Sequence, residues 1–192
     1  MPSIGFERIV SIVGAFSGKD GEPDDDDQQY ILKAMWIMML SEFEGSVKDA
    51  VEEYIDHVKT KNINDIHICL LMQNFYPDAG EEGVKINNLI SVYKKSPSEI
   101  TYGRFTKDYK AKYKSASIEK LFNTLGVFLT EDELLCLRKI DGYASTRDSI
   151  AHGDIDVQIT KKEIVSTLEE LRNLFSLLSG RIPVPQSTVN TT

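Results

Sequence analysis

Cysteine is almost absent: in 192 residues it occurs only at Cys69 and Cys136. Both lie in helix-like apolar patterns, which predicts two buried free thiols in a reducing compartment and argues against a disulfide scaffold. Long apolar runs are absent as well. The longest, Ala34–Leu40, falls far short of the ~20 residues a membrane-spanning helix needs. Met1-Pro2-Ser3 carries no basic head, and Gly14 interrupts the apolar stretch Ile9–Phe16, so no leader peptide is expected. A cytoplasmic protein without a membrane partner follows as the expectation. Strand signals are scarce, which leaves an all-α chain. Histidine is limited to His57, His67 and His152. Their spacing, among themselves or with the cysteines, matches no metal-ligand pattern, so neither metal nor cofactor is expected.

What is present in excess is acid. Asp and Glu total 30 against 22 Lys and Arg, a net charge of −8. That disfavours non-specific nucleic-acid binding over the whole surface but allows a local basic cleft. The charge is unevenly spread. Glu22 and Asp24–Asp27 crowd one short stretch, whereas Lys94 to Lys120 is enriched in cations. The aspartate run lacks the interleaved glycine and terminal glutamate of an EF-hand. It reads as a solvated loop whose carboxylates cap the helix that follows.

Length and a composition of 41% hydrophobic and 27% charged residues suit one globular domain, taken as 1–182. Residues 183–192 form a Pro/Ser/Thr tail expected to be disordered. Phe6–Phe16 predicts a short helix, and Gln28 to about Lys59 the strongest one. The first half of that helix, Ile31–Leu40, is apolar on nearly every face. It is expected to be buried on several sides or to meet a second subunit. Asp65–Phe75, Val84–Lys95 and Ser117–Val127 predict further helices, the last with Ile118, Leu121, Phe122 and Leu125 on one face. Two capping boxes mark later helix starts. Thr130 with Glu133 opens a helix carrying Leu134, Leu135, Leu137, Ile140, Tyr143 and Ala144 towards Arg147; Thr160 with Glu163 opens the last one, striped by Ile164, Leu168, Leu171, Leu174, Phe175 and Leu178. Gly180 stands where a left-handed residue just past the helix end belongs.

Arg147-Asp148-Ser149-Ile150-Ala151-His152-Gly153 is the one stretch that reads as chemistry. Arginine is a planar, permanently charged phosphate binder, and histidine transfers protons near neutral pH. Five residues apart on an unbroken helix, the two point about 140° away from each other. Either the helix ends at His152 and a turn at Gly153 swings the imidazole round, or two copies of the motif face each other across a two-fold axis. Asp148 and His152, four apart, share a helix face, and the carboxylate can accept from a ring nitrogen and fix its tautomer. Such groups support cleavage of RNA by attack of its own 2′-hydroxyl. The histidine would move the proton, and the arginine would hold the charge growing on the non-bridging oxygens. The bland alternative is structural, since an arginine and a histidine at this spacing occur by chance and glycine after a helix is routine capping. His57 and His67, with no partner arrangement, read as core or surface residues.

The heptad resembles the Arg-x4–6-His signature of the HEPN superfamily, compact all-helical proteins many of which are metal-independent ribonucleases. Asp148 stands where that family commonly has a polar residue after the arginine. The Ile150-Ala151-His152-Gly153 ending resembles the RiboL-PSP and MAE-type HEPN-like nucleases in particular. Ser41-Glu42-Phe43-Glu44-Gly45-Ser46-Val47-Lys48 is similar to their upstream helix, in which an aromatic–glutamate step precedes a small residue and a lysine. The resemblance covers about Gln28 to Gly180. It implies an antiparallel helical bundle with extra short helices and a homodimer whose cleft gathers both copies of the motif. It also implies a toxin–antitoxin or phage-defence setting, with an antitoxin or other regulatory protein as a partner. Carried over by position, Arg147 and His152 are catalytic and Asp148 supports them. Some members of the superfamily bind RNA or nucleotides without cutting, which implies a non-catalytic alternative.

An RNA substrate calls for a track. From Tyr93 to Lys114 cations alternate with aromatics. Lys107, Lys110, Lys112 and Lys114 suit a phosphate backbone, and Tyr109 and Tyr113 suit unstacked bases. The competing reading is a solvated connection whose tyrosines pack on the bundle. A third functional class is a helical interaction protein that uses Ile31–Leu40 as its partner surface.

Overall fold

The computed structural model describes residues 4–15, 23, 25–60 and 114–182. The helices expected at Asp65–Phe75 and Val84–Lys95, His67, Cys69 and the tail from 183 onward lie outside the described residues. Within them every regular element is a helix: α1 (Ile4–Gly14), α2 (Asp26–Lys59), α3 (Ser115–Thr124), α4 (Glu131–Ala151) and α5 (Lys161–Arg181). They fall into two compact units. The first gathers α1, α2 up to Lys48, the first residues of α3, α4, and α5 up to Ser179. Of the described residues, the second gathers the rest of α2, 117–129 and 180–182.

In the first unit, α2 begins as its acidic start predicts. The Asp25 carboxylate accepts from the Gln28 N–H at 2.8 Å, and Asp26 and Asp27 occupy the first turn, where helical amides favour negative charge. Leu32, Met35, Trp36, Met39, Leu40, Phe43 and Val47 recur at helical spacing and are buried. The opposite side is open, with Tyr30 77%, Ile31 40% and Met38 41% exposed. The expectation of burial on several sides therefore fails for the single chain: an inner stripe takes the core contacts, and the remaining apolar residues fall about half a turn away. Helix α1 lays Phe6, Ile9 and Val13 into this core. The Arg172 guanidinium of α5 lies 5.8 Å over the Phe6 ring. Gly5 carries no side chain because the Glu42 carboxylate occupies the space a Cβ would take.

Helices α4 and α5 run antiparallel, each opened by the capping box the sequence predicts. Thr130 N–H donates to Glu133 at 2.8 Å and Thr160 N–H to Glu163 at 2.8 Å, with the threonine hydroxyls accepting in return. Between the helices lies a groove of about 180 Å³ lined by Cys136, Lys139, Tyr143, Glu170, Leu174 and Leu177. Cys136 is exposed, which corrects the expectation of a buried thiol. The buried stripe of α4 passes through Leu137 and Ile140, and Cys136 falls beside it. Helix α5 runs through Gly180 to Arg181, so Gly180 is not the left-handed residue expected there. The apolar stripe continues past it to the buried Ile182.

The second unit buries Val51, Tyr54, Ile55 and Val58 from α2, Ile118, Leu121 and Phe122 from α3, and Leu125 from the turn that follows it. Gly126, at φ 75°, closes α3.

Glu170 links the α4–α5 hairpin to pH. The Tyr143 hydroxyl donates to its carboxylate at 2.6 Å, and Lys139 Nζ does so at 3.1 Å. The Tyr143 hydrogen bond, followed by that of Lys139, holds the Glu170 carboxyl below its usual range. Burial, and then Glu170 itself, push the Tyr143 phenol upward. A carboxyl depressed in the folded state adds stability above its unfolded pKa, near 4.3, and loses it as pH falls through the lower folded value. Tyr143→Phe is therefore expected to flatten the acid limb of stability. Urea midpoints measured from neutral pH down to about pH 3 check this, and a variant with the wild-type acid slope contradicts it.

Candidate functional site

The heptad lies on the last turns of α4. Arg147, Asp148, Ser149 and Ile150 are half-buried, whereas Ala151, His152 and Gly153 are exposed. The helix is unbroken through Ala151, and His152 caps it at φ −82° and ψ 0°. The His152 N–H donates to Asp148 O at 2.9 Å, Gly153 N–H to Ile150 O at 3.0 Å and Asp154 N–H to Ser149 O at 3.0 Å. These last two bonds, with Gly153 at φ 80°, satisfy the carbonyls left over at the helix end and turn the chain away. An alanine at 153 meets nothing within 4 Å but must adopt the same positive φ. Gly153→Ala is expected to cost about 1 kcal/mol of stability, measurable as a lower urea midpoint. An unchanged midpoint contradicts the turn.

The turn at Gly153 comes one residue too late to redirect His152. A side chain's departing direction is set by the backbone up to its own φ, and −82° lies close to the helical value near −63°. The backbone therefore launches the Arg147 and His152 side chains about 140° apart. Arg147 continues the line of Tyr143, four residues earlier, on the side of α4 that meets α5. His152 shares its line with Asp148, Ser145 and Asp141. Asp141 is occupied at the other end of that line, accepting from the Ser115 N–H at 2.8 Å and hydroxyl at 2.5 Å. Among the described residues, no hydrogen bond or ion pair joins the side chains of Arg147 and His152.

The helix that carries the pair is held rigidly from α2. Trp36 Nε1 donates to Tyr143 O at 3.2 Å, the same carbonyl that accepts the helical bond of the Arg147 N–H. The two rings meet edge-on, with centroids 6.0 Å apart and planes at 81°, a favoured aromatic geometry. Beyond the motif, Lys33 Nζ donates to Asp154 O at 3.3 Å and Gln29 Nε2 to Ile159 O at 3.4 Å. Trp36, Lys33 and Gln29 were not singled out by sequence reasoning. The available signal was that Lys33 is the sole charge within Ile31–Leu40.

Of the expected RNA track, Lys114 stands exposed just before α3. Lys107, Tyr109, Lys110, Lys112 and Tyr113 lie outside the described residues. Among the described residues no group of three His, Cys, Asp or Glu side chains is placed to hold a metal ion. No described helix is long and apolar enough to cross a membrane. The family model for RiboL-PSP-HEPN matches residues 7–182. No curated protein and no solved structure matches the chain.

Proposed function

The chain belongs to the RiboL-PSP-HEPN family, and from that premise we propose that it is a metal-independent endoribonuclease. The observation that carries the reading is the end of α4: a half-buried Arg147 and an exposed His152 on one helix held by Trp36. In the proposed reaction the substrate's own 2′-oxygen attacks the adjacent phosphorus. The 2′-O–P bond forms as the P–5′-O bond breaks, leaving a 2′,3′-cyclic phosphate and a 5′-hydroxyl. His152 moves the proton, and Arg147 holds the charge that builds on the non-bridging oxygens. Asp148, four residues before His152 and on the same helix face, supports it in this reading through its carboxylate, which can accept from a ring nitrogen and fix the tautomer.

The 140° divergence gives the second copy its role. Two chains related by a two-fold axis can present one chain's arginine and the other's histidine to a single phosphate. The proposed enzyme is thus a homodimer with a shared cleft, and light scattering that shows a monomer at micromolar concentration removes that arrangement. Lys107, Lys110, Lys112 and Lys114, with Tyr109 and Tyr113, are proposed as the substrate track. A toxin–antitoxin or phage-defence setting, in the cytoplasm and under an antitoxin or another regulatory protein, completes the proposal.

The same divergence favours a second reading if the chain is monomeric: a non-catalytic module in which Arg147 alone holds an RNA or nucleotide phosphate. Cleavage of tRNA, mRNA or ribosomal RNA by wild type but not by His152→Ala supports the enzyme. Phosphate binding lost in Arg147→Ala, with no cleavage by wild type, supports the module.

A further inference from the structure

The chain that follows His152 is held from α2 at both of its ends. Lys33 Nζ reaches Asp154 O at 3.3 Å, and Gln29 Nε2 reaches Ile159 O at 3.4 Å. Gln29 and Lys33 are four residues apart and therefore stand one above the other on a single face of α2. The connection they hold joins α4 to α5, and His152 is its first residue. Its far end is also fixed by burial, with Ile159 2% and Gln29 8% exposed. Its near end is not: His152, Gly153, Asp154, Ile155 and Asp156 are all exposed. There the Gly153 and Asp154 amides bond back to α4, and the Lys33 bond ties the same turn to α2.

Charge gives Lys33 a second part. The last carbonyls of α4 concentrate partial negative charge at His152, with Asp148 shortly before it and Asp154 and Asp156 shortly after. A phosphodiester approaching such a place is repelled. The ammonium of Lys33 stands against the Asp154 carbonyl and has donors to spare, so its charge offsets part of that repulsion beside Asp154.

We propose that Lys33 is a positioning residue of the His152 site. It clamps the turn that carries the imidazole and counters the negative charge around it. The role in cleavage rests on the reading of Arg147 and His152 as an RNA-cleaving pair; the clamp itself does not.

The test compares full-length wild type, Lys33→Met and Lys33→Arg. Three quantities are measured: amide hydrogen exchange at Gly153, Asp154 and Asp156, kcat and KM on a single-stranded RNA oligonucleotide, and the thermal midpoint. Lys33→Met is expected to speed exchange at these amides and lower kcat about 10- to 100-fold, with the thermal midpoint unchanged. Lys33→Arg is expected to restore most of both. Wild-type exchange in Lys33→Met overturns the clamp, whether or not RNA is cut. Faster exchange with wild-type kcat overturns the role in positioning. If the wild type cuts no RNA, the ribonuclease reading and the catalytic role fall together, and exchange alone decides the clamp.

Discussion

His152→Ala is expected to lower RNA cleavage by about 10²- to 10⁴-fold, the usual worth of a positioned proton-transfer group. The fold should not notice. His152 is exposed, and its backbone bond to Asp148 O survives the substitution, so stability should stay within about 0.5 kcal/mol of wild type. That separation gives the experiment its force: a large loss of rate without a loss of structure assigns His152 to chemistry. Arg147→Ala is expected to cost about 10²- to 10³-fold, the scale seen when a donor to developing charge is removed. Arg147 is half-buried, so its variant also loses some packing of the aliphatic stem. Parallel rate and unfolding measurements separate the two effects. A variant that unfolds with wild-type stability and cuts RNA at the wild-type rate removes its residue from the site.

The second large effect lies in the core of the first unit. Phe43 is fully buried on α2, and Phe43→Ala is expected to destabilise the protein by about 3–5 kcal/mol through lost burial and the cavity left behind. Against a typical total of about 5–15 kcal/mol, that is a substantial fraction of the whole. Urea unfolding should show a midpoint shifted well down. A loss below about 1 kcal/mol contradicts the burial of Phe43. Phe43 lies in the Ser41–Lys48 stretch of α2.

Local chemistry was the most legible part of the sequence. Both capping boxes formed as written, because a threonine and a glutamate three residues later satisfy each other without outside help. The buried stripes of α3, of α5 and of the second half of α2 largely followed from helical spacing, although Phe175 of the α5 stripe is only half-buried. Failures arose where the answer depends on what packs alongside. Cys136 and Leu137 are adjacent and both apolar, yet one is exposed and the other buried, since only the register of α4 against its neighbours decides between them. Ile31 and Met38 looked as core-like as Leu32 and Met39 but face outward. Gly180 resembled a helix stop until the stripe carried α5 past it.

The motif itself was visible, and so was its angular problem. Whether a chain turn redirects His152 was not, because it hinged on the backbone at the cap itself. The helix ends at Ala151, His152 caps it with a near-helical φ, and the turn falls at Gly153. The bonds from Trp36, Lys33 and Gln29 were beyond reach for another reason. They join residues more than 100 positions apart, and no local pattern encodes such pairings.

The chemistry of the cut ends tests the central claim most directly. Single-stranded RNA labelled at its ends is incubated in EDTA with full-length wild-type protein and, separately, with His152→Ala. The account predicts fragments bearing 2′,3′-cyclic phosphate and 5′-hydroxyl ends from the wild type and intact RNA from the variant. Intact RNA in both reactions, or equal cleavage in both, contradicts it.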